Sequence, residues 1–454
     1  MVSIYKAKTK PSRIGNLINV QIDSTDYEVQ GIARVNNKIA FISGALAGET
    51  VQAKILEDKS GFIKASVTSV KQAAKERITA PCRYAAQCGG CQLQYLAVSQ
   101  QQKLKQQGVD GLLRHQLDLT DIPWQPMLTG PTMDTESGPA IQQQGYRRRA
   151  RIGVWYNKKQ RQYDIGFRQA NAKNIVNIKQ CLVLSPVLTP IFSVLATQLP
   201  KLSTANAVTH VEVIDAQEQA YIVVRHTQPL TIQDKQQLIA AWPTAIWIGE
   251  FESGCYKAWQ DEHQQFQPEY SLAEQNIRLQ FGLDDFIQVN ATVNQKMVSQ
   301  AITWLAPNKQ DTILDLYAGI GNFSLALAQV AKAVHAVEGI DKMVQQLLHN
   351  ARVNQLDNLS ASQADLHLTW PKASWNSAQY TKVLLDPARA GANGAIEQVV
   401  QLKPKVILYV SCNAATLARD SKVLLSSGYR LEKISGIDMF PHTRHLELMA
   451  LFVQ

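Results

Sequence analysis

Four short apolar runs in the last third of this 454-residue chain restrict its fold more than any other feature. They are Thr312-Ile313-Leu314-Asp315-Leu316, Ala333-Val334-His335-Ala336-Val337-Glu338, Lys382-Val383-Leu384-Leu385-Asp386 and Val406-Ile407-Leu408-Tyr409-Val410. Each has strand length, is apolar almost throughout, and is followed by a helical stretch. Strands buried on both faces with helices between them form a doubly wound sheet. Ligands bind such sheets beyond the carboxyl ends of the strands. Each run here ends in, or leads into, a polar or reactive residue.

The first run opens into Asp315-Leu316-Tyr317-Ala318-Gly319-Ile320-Gly321-Asn322-Phe323-Ser324. Its glycines let backbone approach a ligand without Cβ clashes, although a Gly-x-Gly pair also serves a plain strand-to-helix turn. Glu338 ends the next strand, where a ribose-hydroxyl acceptor sits in nucleoside-binding sheets. Phe323 and Ser324 replace the later glycine of a dinucleotide loop, which favours a single nucleoside such as S-adenosylmethionine. Cys412 follows the fourth run in Val410-Ser411-Cys412-Asn413, and Asp386-Pro387-Ala388-Arg389 ends the third. A lone cysteine is usually a buried structural thiol, but at the ligand edge of a sheet a thiolate can attack an electrophilic carbon.

The front of the chain differs. From Gly15 to about Val70 short alternating runs, punctuated by Asn36-Asn37, Gly44 and Gly48, predict a small all-β barrel. Residues 71–91 read as a linker and Val98–Leu119 as an amphipathic, Gln-rich helix with Leu104, Leu112, Leu113 and Leu117. Thr129–Gln144 reads as an exposed loop. Strand-like segments at Ala150–Trp155, His210–Ile214 and Ala220–Arg225 place a central α+β unit up to about residue 285, whose topology does not follow from the sequence. Lys and Arg number 46 against 37 Asp and Glu, a net of +9. Residues 1–90 carry +6 and residues 141–180 another +9, so the remainder is acidic. Positive charge segregated in this way suits a polyanion. The run Tyr146-Arg147-Arg148-Arg149-Ala150-Arg151, with Lys158, Lys159, Arg161 and Arg168, is a candidate phosphate-binding surface. With 45% hydrophobic and 18% charged residues the composition is that of globular domains. No run reaches the ~18 apolar residues of a membrane helix, and no signal peptide opens the chain. A cytoplasmic protein with reduced thiols is expected. Cys82, Cys88 and Cys91 cluster while Cys181, Cys255 and Cys412 stand apart; four thiolates suit zinc or an iron–sulfur cluster.

Taken together, Asp315–Phe323, Leu385–Arg389, Ser411-Cys412-Asn413 and Phe440-Pro441-His442-Thr443-Arg444-His445-Leu446-Glu447 resemble the RNA uracil-C5 methyltransferase family. The similarity runs over nearly the whole chain and is greatest to its 23S ribosomal RNA branch. It implies a multidomain α+β protein. An OB-like TRAM β-barrel would occupy 12–70 and bind RNA. A central α/β domain with the iron–sulfur site would occupy 71–285, and a Rossmann-like methyltransferase domain 286–454. It implies Cys412 as nucleophile and Glu447 as general base. Gln288, Tyr317, Asn322, Glu338, Asp365 and Asp386 would hold S-adenosylmethionine, and Cys82, Cys88, Cys91 and Cys181 a [4Fe-4S] cluster.

The implied chemistry explains the residue types. Uracil C5 is too weak a nucleophile for methyl transfer until a thiolate adds at C6. A base must afterwards remove the C5 proton so that the thiolate is expelled. Taken alone, Glu447 reads as a strand-edge surface charge. Phe286 reads either as a core residue or as a stacking partner for an RNA base. His442 and His445 could orient Glu447 or simply pack. Ala414 stands where the family commonly has proline, which loosens the turn beyond Cys412. The expected product is 5-methyluridine in 23S ribosomal RNA, made by a monomer without membrane contact. The alternative is a transfer-RNA uracil-5-methyltransferase, a branch that generally lacks both barrel and cysteine cluster. A radical S-adenosylmethionine enzyme would need Cys-x3-Cys-x2-Cys, and the spacing here is five, then two.

Overall fold

The computed structural model describes residues 13–130, 144–170, 172–370 and 375–454. The expected loop at 129–144 therefore falls almost wholly outside the described residues. The chain forms two compact units. One comprises the chain up to Ala80 with Gln92–Gly111, the other Pro81–Cys91 with Leu112–Gln454.

In the first unit, residues 17–25 form one bent stretch. Leu17–Gln21 pairs with Thr50–Asp58, and Ser24–Thr25 pairs with Gly31–Val35. Since the remaining strands follow in the order Phe62–Gln72, Lys38–Ser43, Gly31–Val35, the six-stranded sheet closes on itself through that bend. Inward residues alternate along the strands, as Val51, Ala53 and Ile55 do, and meet Ile22, Ala40, Ile42 and Ile63 in a small core. Glu49 is fully buried beside this core. It accepts from Leu46 N (2.8 Å), Ala74 N (3.2 Å) and Arg77 Nη2 (2.7 Å). Arg77 in turn stacks on Tyr95, 4.4 Å from the ring centre.

Two expectations change here. The helix Val98–Leu117 exists, but its inner stripe is Gln101, Lys105, Val109, Leu113 and Leu117, every fourth residue. Two long polar side chains thus occupy positions that a hydrophobic reading assigns elsewhere. Residues 71–91 are also not a simple linker. The strand Phe62–Gln72 runs into their start, and Pro81–Cys91 joins the second unit. There Gly89 N donates to Arg168 O (2.9 Å) and Ala170 N to Gln87 O (2.8 Å).

The second unit holds two seven-stranded sheets. The central one runs Tyr256–Ala258, Ile246–Glu250, Gln219–His226, Val208–Ala216, Arg149–Asn157, Gln162–Arg168, Ile175–Asn177. The pair Gln219–His226 and Ile246–Glu250 is parallel and the other neighbours are antiparallel. The second sheet runs Leu359–Gln363, Ala333–Glu338, Thr312–Leu316, Lys382–Leu385, Val406–Ser411, Glu447–Val453, Arg430–Ile437. Its first five strands are parallel, and Glu447–Val453 is antiparallel to both neighbours. Strand order reverses between Thr312–Leu316 and Lys382–Leu385, which opens a crevice at their carboxyl ends. Among the described residues no helix is long and apolar enough to cross a membrane.

Breaking a buried ion pair by removing one partner strands the other. Glu49→Ala is expected to destabilise the first unit by about 3–5 kcal/mol, read as a lower urea midpoint. Glu49→Gln, which keeps an acceptor, loses less.

Candidate active site

The crevice gathers side chains from six separate segments. Asp315 lies buried in the first strand and accepts a hydrogen bond from Ser324 Oγ, at the start of the following helix. Tyr317, at φ +63°, turns the chain out of the strand. Gly321, at φ +100°, sits where a Cβ would stand 2.1 Å from Leu325 Cδ1, so only glycine fits. Glu338 accepts from Gly319 N (3.0 Å) and Ile340 N (3.1 Å), closing the loop against the next strand. Asp386 N donates to Leu316 O (3.2 Å) across the crevice. Asp365, exposed, lies near Tyr317, whose ring centre is 5.8 Å from that of His367.

Several buried polar atoms in this region have no hydrogen-bond partner: Asp315 Oδ1, Tyr317 OH, Gln288 Oε1, Glu447 Oε2 and Arg148 Nη2. Asp315, Tyr317 and Glu447 lie at the carboxyl edge of the sheet, where orphaned polar atoms are what a polar ligand would satisfy. Asn322 differs. Its amide is already used by Asn294, with two bonds of 2.9 Å, and by Tyr270 OH at 3.0 Å. It braces the loop against the helix Ala291–Leu305, using its oxygen twice and one of its two N–H donors.

Cys412 follows the strand Val406–Ser411 and precedes the helix Ala414–Ser426. The turn is fastened by Asn413. Its Oδ1 accepts from Ala415 N (3.0 Å), and its Nδ2 donates to Arg389 O (3.1 Å). Ala414 takes the first helical position, where proline is also accommodated, so the cap closes the turn without it. Burial pushes the Cys412 thiol up, and the Glu447 and Asp386 carboxylates add to this, while Arg389 pulls it down. Arg389 Nη2 also lies 3.3 Å from His445 Nε2.

Glu447 opens the antiparallel strand and so reaches the carboxyl edge of the parallel strands from the opposite chain direction. It is buried, not a surface charge. Burial, then Asp386, pushes its carboxyl up to about 8. Asp386 is raised to about 7 by burial and by Asp315, and Asp315 to about 7 chiefly by burial.

The arginine run is the main correction to the sequence expectations. Arg148 is 6% exposed. Its Nε donates to Gln288 O (2.7 Å), and its guanidinium lies 4.3 Å from the centre of the Tyr270 ring. Arg149 pairs with Glu212 at 2.6 Å and donates to the carbonyls of Leu283 and Asp285. Tyr146 OH donates to Pro441 O (3.0 Å). These side chains hold the fold, and only Arg151, Lys158, Lys159, Arg161 and Arg168 are exposed. Sequence parity carried the signal: Arg148 shares its phase with the inward residues Ala150, Ile152 and Val154. Tyr270 and Asn294 had no comparable sign. Phe286 is 64% exposed, which removes the core reading.

Cys82, Cys88 and Cys181 share one neighbourhood, where burial and the other thiols raise Cys88 and Cys181. Tyr146, raised mainly by burial, also feels Cys91 and Cys181. Gly90 N donates to Cys88 Sγ (3.4 Å), and the amides of Val183 and Leu184 point at Cys181. Among the described residues no group of three or more His, Cys, Asp or Glu is arranged to hold a metal ion.

A switch-point crevice lined by a nucleoside loop, with a cysteine at the neighbouring strand end, is the arrangement of a Rossmann-like methyltransferase. The profile of the tRNA (uracil-5-)-methyltransferase family matches residues 138–454, and that of the TRAM domain residues 11–68. The chain belongs to this methyltransferase family. It is 41% identical over 437 residues to the 23S rRNA (uracil(1939)-C(5))-methyltransferase RlmD of Vibrio cholerae, covering 96% of this chain and 95% of that one. With the protein of the same name from Pseudoalteromonas translucida it shares 38% over 459 residues, covering 100% and 99%. The crystal structure of Pyrococcus abyssi tRNA (uracil-54, C5)-methyltransferase in complex with S-adenosyl-L-homocysteine has the same fold. The TM-score is 0.71 at 20% identity, over 96% of this chain and 100% of that one.

The raised carboxyls make stability depend on pH. A carboxyl with a folded pKa near 8 and an unfolded value of 4.5 holds its proton more tightly when folded. The associated stability is full below the unfolded value and is lost as pH rises through about 8. The ligand-free protein should therefore melt progressively earlier between pH 5 and 9. Glu447→Gln should flatten that decline, and a parallel decline in the variant would contradict the assignment.

Proposed function

We propose that the protein methylates C5 of a specific uridine in 23S ribosomal RNA, giving 5-methyluridine, with Cys412 as nucleophile and Glu447 as general base. The observation that carries this reading is the meeting of a thiol and a buried carboxyl, raised into the range of a base near neutral pH, at a crevice edged by unsatisfied polar atoms. Cys412 adds to C6 of the uracil, which gives C5 enolate character. Arg389 offsets the nearby carboxylates and favours the thiolate. When bound, S-adenosylmethionine supplies a sulfonium methyl for the nucleophilic C5. Glu447 then removes the C5 proton, and β-elimination returns Cys412. Gln288, Tyr317, Asn322, Glu338, Asp365 and Asp386 would hold the cofactor.

The 23S substrate, in preference to transfer RNA, is supported by similarity along the whole chain to relatives of that name. The barrel at 12–70 would bind RNA, the central part at 71–285 would carry the cysteine site, and 286–454 would be the methyltransferase domain. Cys82, Cys88, Cys91 and Cys181 would bind a [4Fe-4S] cluster by the family resemblance; the nearness of Cys82, Cys88 and Cys181 and the amides directed at Cys88 and Cys181 support it, although among the described residues the thiols are not arranged as a metal site. Its part would be structural, since methyl transfer needs no electron transfer. A cytoplasmic monomer fits this chemistry.

Fluorine at C5 cannot leave as a proton, so 5-fluorouridine-substituted 23S fragments with S-adenosylmethionine should stall as a covalent adduct on denaturing gels. Cys412→Ala should abolish it. An adduct formed only with transfer RNA would overturn the substrate. Glu447→Gln should accumulate adduct even on unsubstituted RNA, because elimination lacks its base. After anaerobic purification, iron and sulfide should co-elute with the chain, and zinc in their place would overturn the cluster.

A further inference from the structure

The strand Arg149–Asn157 and its neighbour Gln162–Arg168 form a hairpin whose outward face no part of the proposed reaction uses. Arg151, Gly153 and Trp155 lie in the outward row of the first strand. Across from them, Gly166 pairs with Gly153 and Asp164 with Trp155, and Arg168 stands further along. Trp155 is 67% exposed, the most exposed aromatic among the described residues. At the tip, Lys158, Lys159 and Arg161 are all exposed. The tip is held in shape: Asn157 Oδ1 accepts from Lys159 N (3.1 Å) and Gln160 N (3.2 Å), and Asn157 Nδ2 donates to Asp164 Oδ2 (3.2 Å). From Arg149 to Arg168 the sequence has six basic residues and one acidic, Asp164.

The row also has a direction. Arg149 grips the carbonyls of Leu283 and Asp285, the latter next to the exposed Phe286 and three residues before Gln288. From Arg149 to Trp155 the strand spans about 20 Å. A surface that begins beside the crevice and leads out past guanidinium groups to an exposed indole and a cationic tip suits a single strand of nucleic acid. Phosphates would meet the cations and a base would stack on the indole. Little ordering is lost on binding, because the tip is already fixed.

We propose that the outward face of this hairpin, from Arg151 and Arg168 through Trp155 to Lys158, Lys159 and Arg161, holds the single-stranded RNA flanking the target uridine. This rests on the reading of the protein as an RNA uracil methyltransferase and names the surface that reading leaves open. The test uses the full-length protein and a 23S-derived single strand carrying one 5-fluorouridine. Affinity is measured by fluorescence anisotropy between 50 and 200 mM salt. Trp155→Ala should weaken binding roughly 5- to 100-fold, and Trp155→Phe should recover most of it, since a ring can still stack. Replacing Lys158, Lys159 and Arg161 together by Gln should reduce the slope of log affinity against log salt by about 2. Parental affinity and slope in both variants would overturn the proposal, as would a surface that captures protein but not RNA. If Trp155→Ala proves to unfold early, the exposed tip triple decides. Failure of the parent to form an adduct with any RNA would instead defeat the underlying functional reading.

Discussion

Arg148 is the interaction on which the arrangement of the second unit depends. A buried guanidinium is costly unless its donors and charge are met; here backbone and ring meet part of that demand, Nη2 has no hydrogen-bond partner, and no carboxylate among the described residues is in ion-pair contact. It bonds the carbonyl of Gln288 and lies on Tyr270, whose hydroxyl holds Asn322, which is locked to Asn294. Its own backbone ties two more segments: Arg148 N donates to Val289 O (2.9 Å), and Arg148 O accepts from Asp215 N (2.7 Å). One residue earlier, Arg147 bridges Leu184, near Cys181, and Asn290. The central sheet, the cysteine neighbourhood, the entry to the methyltransferase sheet and its nucleoside loop are thus joined through Arg147 and Arg148.

The electrostatics of the crevice follow from the same closeness. Asp315, Asp386 and Glu447 come from three different strand ends and are buried near enough to raise one another. Burial and mutual repulsion hold all three carboxyls well above the ordinary carboxylate range. A positive charge beside them would favour their ionised forms. The cost of burying these acids is thereby tied to readiness for a positively charged cofactor.

How much the sequence revealed depended on the kind of pattern. The doubly wound sheet was legible because its strands are short, apolar and end in chemistry at one edge. Asp315, Glu338, Asp386 and Cys412 lie where those strand ends put them. Glu447 was not legible from periodicity, since its strand runs the other way and only the family resemblance marked it. The arginine run was misread because consecutive like charges suggest a solvated face, whereas strand alternation sends Arg148 inward. The bracing of Asn322 by partners 28 and 52 residues away in the chain, Asn294 and Tyr270, had no sign in the sequence. Contacts of that kind leave no local trace.

The division of the chain limits how this protein can be taken apart. The first unit is discontinuous: it takes the chain up to Ala80, yields Pro81–Cys91 to the second unit, and resumes at Gln92–Gly111. A scission after Ala80 would free the closed sheet from covalent linkage but leave part of its unit attached to the remainder. The unit therefore cannot be shed or grafted by a single joint. Any transplant of the barrel must carry the cysteine segment with it or splice around it. The stretch that bears three of the four grouped thiols is consequently inherited together with the barrel, although it folds elsewhere.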